Sequence, residues 1–242
     1  MTEYRRLQEN LERISGTKLT EQALSESSEI YNENRRLTRQ LYDERSRNPY
    51  LIRTSELYAL VRAGNFFPVE QHTDLLRQTV DDLPARMGKQ RDSIRVVIEG
   101  SFCEQPPLDL IKILEEAGCY IVDDDFVLGP RWFFQDLAVN GDPMRTLADG
   151  YSNASVYSSV RHDFRKPRHK GLIEKVRSRK ADAVILLIAK FCEPAYFDYV
   201  LFKQELEKQG IPHLLMEFEE KMFTFERLRT EVETFVESLL FY

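Results

Sequence analysis

Residues 94–106 read Ile-Arg-Val-Val-Ile-Glu-Gly-Ser-Phe-Cys-Glu-Gln-Pro, and residues 183–194 read Ala-Val-Ile-Leu-Leu-Ile-Ala-Lys-Phe-Cys-Glu-Pro. Each is an apolar, largely β-branched run long enough for one buried strand, and each breaks into Phe-Cys-Glu followed by proline. A helical pattern comes next: Leu108, Ile111 and Leu114 after the first run, Phe197, Leu201 and Leu206 after the second. Cys103 and Cys192 are therefore expected where a parallel strand ends and a helix begins. In an open α/β sheet that edge binds ligands, at the point where strand order reverses. A helix N-terminus also favours thiolate over thiol through its dipole and unpaired N–H groups. Two thiolates at equivalent points of one edge can converge on a soft metal centre.

Outward from these runs, strand and helix alternate. Strand 94–99 leads to helix 107–117, which Gly118 stops, and strand 119–123 ends in Asp123-Asp124-Asp125. Residues 131–149 read as short helices, Gly141-Asp142-Pro143 as a turn, and 150–165 as an irregular polar loop. Helix 167–179 precedes strand 183–188, helix 195–209, strand 212–217 and a last helix over 224–240. Strands separated by helices imply an α/β fold with a doubly wound parallel sheet of about four strands, Rossmann- or flavodoxin-like. Residues 1–92 form a helical N-terminal region. Thr20 is a plausible N-cap, Asn48-Pro49 a break, and further helices run over 55–63 and 69–83. The polar connector 84–92 is the expected boundary with the α/β domain, 93–242.

The totals bound the function. The chain has 242 residues, 42% hydrophobic and 31% charged, and 34 basic against 40 acidic side chains give a net charge of −6. This balance argues against general nucleic-acid binding, which needs a basic footprint. No apolar run approaches the roughly 18–20 residues of a membrane span, and the N-terminus has no apolar signal core. Three cysteines without framework spacing fit a reducing cytoplasm rather than a disulfide scaffold.

Cys103 and Cys192 can also be read as two small buried hydrophobes. Nothing resembles Cys-x-x-Cys, and neither stretch has the nearby second Cys or His that zinc wants. An iron–sulfur cluster normally takes four thiolates, and three with one open position suit a cluster that meets substrate. Cys119 starts its strand, so it lies at the opposite edge, roughly 15 Å away at about 3.3 Å per residue. It reads as buried packing.

Other candidates stay open between two readings. Asp123, Asp124 and Asp125 either orient Arg131 or a ligand, or form a turn that caps a helix and pairs with Arg131. Residues 161–180, with nine Lys or Arg against two acids, form either a solvated helix face or a docking patch for phosphates or an acidic partner. Lys190, beside Cys192, either stabilises an anion or lowers the thiol pKa, or is simply solvated. His72, His162, His169 and His213 show no triad or metal spacing. Gly-x-Gly-x-x-Gly and the phosphate-loop pattern are absent, so nucleotide binding has no support.

The segments Gly-Ser-Phe-Cys-Glu-Gln-Pro-Pro (100–107), Gly-Cys-Tyr-Ile-Val-Asp-Asp-Asp (118–125), Gly-Pro-Arg-Trp (129–132) and Ala-Lys-Phe-Cys-Glu-Pro (189–194) resemble the 2-hydroxyacyl-CoA dehydratase family. The endings Glu-Phe-Glu-Glu-Lys-Met-x-x-Phe (217–225) and Glu-Thr-Phe-Val-Glu-Ser-Leu-Leu-Phe (233–241) are most similar to its branch of benzoyl-CoA reductase gamma (C) subunits. The resemblance covers almost the whole chain, which corresponds to roughly the C-terminal two-thirds of a typical member. It implies a cytoplasmic hetero-oligomeric enzyme of two related catalytic subunits with a 4Fe–4S cluster held on three cysteines. Cys103 and Cys192 match two of these ligands, and the third is expected in an N-terminal lobe outside this sequence. It also implies a separate ATP-hydrolysing iron–sulfur activator, with ferredoxin as electron donor. The acyl-CoA substrate then becomes a radical anion, leading to ring reduction or to loss of an α-hydroxyl. The expected function is thus a subunit of an ATP-dependent benzoyl-CoA reductase. The alternatives are a 2-hydroxyacyl-CoA dehydratase subunit or a non-catalytic scaffold with an incomplete cluster site.

Overall fold

The computed structural model describes residues 1–100, 103–126, 129–130, 135–153, 167–219 and 221–241. The N-terminal region contributes helices α1 (Thr2–Ser15), α2 (Glu21–Arg47), α3 (Thr54–Ala63) and α4 (Val69–Asp82), followed by a short 3-10 turn, Leu83–Ala85. Thr20 caps α2 as expected, its hydroxyl accepting from the Ala23 N–H at 3.1 Å. The α/β region runs β1 (Ile94–Glu99), α5 (Leu108–Glu116), β2 (Cys119–Asp123), α6 (Pro143–Asn153), α7 (Arg168–Arg179), β3 (Ala183–Ala189), α8 (Glu193–Gln209), β4 (His213–Phe218) and α9 (Glu226–Leu240).

The four strands form one sheet in the order β2-β1-β3-β4, and every pairing is parallel. From β1 the chain moves outward to β2, then returns to lay β3 on the other side of β1. The reversal falls between β1 and β3, the two strands that the paired sequence runs encode. Period-two alternation divides their side chains between two layers. Val96, Ile98, Ile185 and Leu187 pack with Leu110, Leu114, Leu228 and Val232 of α5 and α9. Val97, Val184 and Leu186 pack with Leu172, Val176, Phe202 and Leu206 of α7 and α8. Helices on both faces make the sheet doubly wound, and explain why β3 is apolar at every position.

A third apolar cluster, with Leu41, Tyr42, Ile52, Leu57 and Leu76, holds the N-terminal helices together. These helices dock on the β2 side of the sheet. Glu115 of α5 accepts from the Thr54 N–H at 2.6 Å and the Ser55 hydroxyl at 2.8 Å. Arg95 of β1 donates to the Ser46 carbonyl at 2.7 Å.

One stretch differs from expectation. The described part of 131–149 holds a single helix, α6, which extends through Asn153 into the segment read as irregular, and 135–142 carries no helix. The residues read as a turn are its start. The Asp142 carboxylate accepts from Met144 N–H at 2.9 Å and Arg145 N–H at 3.2 Å, with Pro143 at the first helical position. That is the residue order of an N-cap followed by a helix-opening proline. The rest of the loop expected over 150–165, from 154 on, lies outside the described residues.

Candidate functional site

Both cysteine segments leave the C-terminal edge of the sheet through backbone that turns sharply. After β1, Gly100 takes φ +110, and a Cβ there would meet the Leu187 carbonyl oxygen at 3.1 Å. Glycine is what allows the chain to bend so close against β3. After β3, Phe191 takes φ +64, a left-handed conformation uncommon for an aromatic residue. The turn is held by the Lys190 N–H to the Phe218 carbonyl at 2.9 Å and the Cys192 N–H to the Ala189 carbonyl at 3.2 Å. It sends the Phe191 ring almost wholly into solvent, 91% exposed, and sets Cys192 at the N-cap of α8.

These turns aim the two side chains at each other. The Sγ atoms of Cys103 and Cys192 are 3.1 Å apart, and both thiols are free. Cys103 is exposed and Cys192 half-buried, so neither is a core hydrophobe. Cys119 is: it is 2% exposed, at the start of β2 beside Ile94, on the opposite edge. Burial pushes its thiol up to about 12.

The expectation that a helix N-terminus lowers the thiol pKa fails at Cys103. Its thiol is pushed up to about 12, first by desolvation and then by the neighbouring Cys192 thiol. Helix α5 begins only at Leu108, five positions on, and a helix dipole acts within about its first turn. In this state Cys103 holds its proton.

The charged candidates form a structural network instead of a ligand site. Asp124 is fully buried and pairs with Arg45 of α2 at 2.8 Å, while accepting the Phe126 N–H at 3.1 Å. Asp123 pairs with Arg179 at 2.8 Å, and Asp125 lies 3.4 Å from Arg168. Arg131, the partner expected for this triplet, lies outside the described residues. Neither reading of the basic run fits its central members. Arg168, Lys175 and Arg179 recur on one face of α7 and lie over carboxylates at the strand ends, Glu99 among them. Lys170, Arg177 and Lys180 are exposed, whereas Arg161, His162, Arg165 and Lys166 lie outside the described residues. Lys190 is exposed but directed to Glu219, at 2.5 Å. His72 is buried between Asn34 and the Leu60 carbonyl, at 2.9 Å from each.

Sequence reasoning does not single out Glu99. Burial works to raise its pKa, but Lys175 and Arg168 beside it more than reverse this and hold the carboxyl at about 2. A signal is there to be read: Glu99 is the one acid in an otherwise apolar strand end. A cleft of about 760 Å³ also escapes the sequence. It lies between α3 and the segment that starts two residues after Cys103, and Tyr58, Arg62, Phe66, Phe67, Pro106 and Leu108 line it.

The donor chemistry can be tested against a metal group. Two thiols this close fit two ligand positions of a soft centre: a single tetrahedral ion with bonds of about 2.3 Å would hold its sulfurs roughly 3.8 Å apart. A four-iron cluster, which takes each thiolate on a different iron, would hold them farther apart still, so the pair must open to bind one. Among the described residues no group of three or more His, Cys, Asp or Glu is placed to hold a metal ion, and the chain's third cysteine is at the far edge. No described helix is long and apolar enough to cross a membrane.

Fold and site together define a doubly wound parallel α/β protein with a dithiol at the crossover of its sheet. The chain belongs to the 2-hydroxyglutaryl-CoA dehydratase D-component family, whose model matches residues 1–239. It is 36% identical over 238 residues to a benzoyl-CoA reductase subunit of Thauera aromatica, a match covering 98% of this chain and 62% of that protein. It is 32% identical over 238 residues to the (R)-phenyllactyl-CoA dehydratase beta subunit of Clostridium sporogenes, covering 98% and 63%. To the (R)-2-hydroxyglutaryl-CoA dehydratase beta subunit of Acidaminococcus fermentans it is 25% identical over 242 residues, covering 98% and 62%. The chain thus spans a little over three fifths of the length of these relatives.

Proposed function

We propose that this chain is one subunit of an iron–sulfur CoA-thioester reductase of the benzoyl-CoA reductase type, in which Cys103 and Cys192 supply two thiolate ligands of a 4Fe–4S cluster. The observation that carries this is the 3.1 Å approach of two free, accessible thiols at the sheet crossover. Ligands of open α/β sheets bind at that point. The identity to a benzoyl-CoA reductase subunit, 36% against 32% for a phenyllactyl-CoA dehydratase subunit, favours the reductase branch. The third thiolate comes from outside these 242 residues.

When bound, such a cluster supplies single electrons of low potential to the acyl thioester, and its potential is tuned by burial and by hydrogen bonds to sulfur. What this chain's residues do is bind and shield. Cys103 and Cys192 must give up their protons on ligation, because thiolate is the form that binds metal. Desolvation and mutual contact keep the Cys103 proton in place until then. The aromatic cleft beside the Cys103 segment offers an apolar wall of the kind that keeps water from a reactive acyl group. The reading carries with it a related second catalytic subunit, an ATP-hydrolysing iron–sulfur activator fed by ferredoxin, and a cytoplasmic location.

Two further readings have specific support. The family description and the 32% match favour a 2-hydroxyacyl-CoA dehydratase subunit. The convergence of just two thiols, with no group of three metal-ligating side chains among the described residues, favours a scaffold subunit without a cluster. Anaerobic co-purification with the partner subunits, followed by turnover with ATP and a low-potential reductant, separates the three. Consumption of benzoyl-CoA is the expected result. Dehydration of phenyllactyl-CoA without ring reduction supports the second reading. A colourless, iron-free complex that turns over neither substrate supports the third and overturns the proposal.

A further inference from the structure

We propose that Arg168 is the positioning residue that sets the distance between the two thiols. Its guanidinium reaches the elements that carry both. One arm donates to Glu99 Oε1 at 2.7 Å and lies 3.4 Å from Asp125 Oδ2. The other arm donates to Asp198, and the guanidinium lies over the Phe202 ring, 5.3 Å from its centroid. Glu99 is the last residue of β1, four positions before Cys103. Asp198 and Phe202 are on α8, which Cys192 caps.

Among the described residues the β1–β3 ladder is followed as far as the Glu99–Leu186 pair. Beyond it the chain from Gly100 to Pro107 has no regular structure among its described residues, and α8 is reached through the strained turn at Phe191. A planar fork whose two arms are fixed relative to each other can bridge the two carboxylates at a set spacing, which the point charge of lysine cannot do. The position is sheltered: the Arg168, Glu99 and Asp198 side chains are 10%, 8% and 13% exposed. Neighbouring cations of α7 are built differently. Lys175 reaches Glu99 and Asp123, and Arg179 reaches Asp123 and Asp43, so neither spans to α8. This inference rests on the sulfur geometry and needs no bound cluster.

Phenylarsine oxide tests it on the reduced full chain, because arsenic forms two As–S bonds to paired thiols with release of one water and no electron transfer. The wild type is expected to bind it tightly and Cys103→Ser to lose that affinity. Arg168→Lys is expected to bind about ten-fold or more weakly, because the fork is lost while the charge remains. Arg179→Met, which also removes two ion pairs of the network, should keep wild-type affinity. Thermal melts of each variant report stability separately. Wild-type affinity in Arg168→Lys overturns the proposal, as does an equal loss in Arg179→Met, which would mark a general effect of the network. If Arg168→Lys does not fold, Asp198→Ala removes the acceptor of the α8 arm alone, and unchanged affinity there overturns it too. A wild type that does not bind the arsenical removes the pair geometry and the clamp with it. Failure to bind iron with arsenical affinity intact would count against the cluster and not against Arg168.

Discussion

Cys103 Sγ lies 3.1 Å from Cys192 Sγ across the crossover of the sheet, although 89 residues separate them in sequence. The gap is well beyond the roughly 2.05 Å of a disulfide, and it is short enough for one soft centre to claim both sulfurs. Parallel pairing of β1 and β3, a glycine bend after one and a left-handed turn after the other produce this approach. The chemistry of the chain follows from what these two sulfurs do.

Cys103 should be sluggish as a nucleophile. Desolvation and the Cys192 thiol push Cys103 up to about 12, so at pH 8 little of it is thiolate, the reactive form. Iodoacetamide should modify Cys103 at least about ten-fold more slowly than free cysteine at that pH, and Cys192→Ala should speed the reaction. Mass spectrometry of timed samples reads both rates. Modification at the rate of free cysteine would contradict the assignment of a protonated Cys103.

Acid should release the clamp at the strand ends. Glu99 is held at about 2, below its ordinary 4.5, so the folded state favours its charged form. That contribution is complete above about pH 4.5 and is lost as pH falls from there toward 2, because the unfolded chain takes up the proton first. It amounts to ~3 kcal/mol at most. Urea unfolding across this range should show a stability slope that Glu99→Gln flattens. The same slope in both proteins would remove Glu99 as its source.

The buried ion pair between α2 and the end of β2 should be costly to break from one side. Arg45 and Asp124 meet at 2.8 Å with side chains 1% and 0% exposed, and the Tyr42 ring lies 4.4 Å from the guanidinium carbon. Burial works against the Arg45 charge, and Asp124 more than offsets it, keeping the pKa above its usual value. Asp124→Ala leaves an unpaired buried cation and should destabilise the chain by ~3–5 kcal/mol. Replacing the pair together, Arg45→Met with Asp124→Leu, should recover much of the loss. Equilibrium unfolding in urea measures both. A loss below about 1 kcal/mol in the single variant would mean the pair is hydrated in solution.

Legibility tracks how local each signal is. The strands β1 and β3 can be read because a strand covered on both faces must be apolar throughout, and their shared Phe-Cys-Glu endings place both thiols on one edge before any fold is known. The same reasoning places Cys119 at the far edge. Helix α6 escapes because Asp142-Pro143 spells both a turn and a helix start, and only the hydrogen bonds from Met144 and Arg145 distinguish them. The charge network cannot be read at all. Arg168 and Glu99 are 69 residues apart, and a Lys/Arg run looks solvated until the sheet lays carboxylates beneath it. The same holds for Arg45 and Asp124, 79 residues apart. The thiol pKa comes out of the sequence in the wrong direction because the dipole of a helix is credited over a gap of five residues.

The central claim is that Cys103 and Cys192, and not Cys119, hold an iron–sulfur cluster. Iron and acid-labile sulfide, measured anaerobically on the assembled complex carrying Cys103→Ser, Cys192→Ser or Cys119→Ser in this chain, test it most directly. The account predicts loss of the cluster shared by this subunit in the first two variants and wild-type content in the third. Full iron content in either of the first two would contradict it.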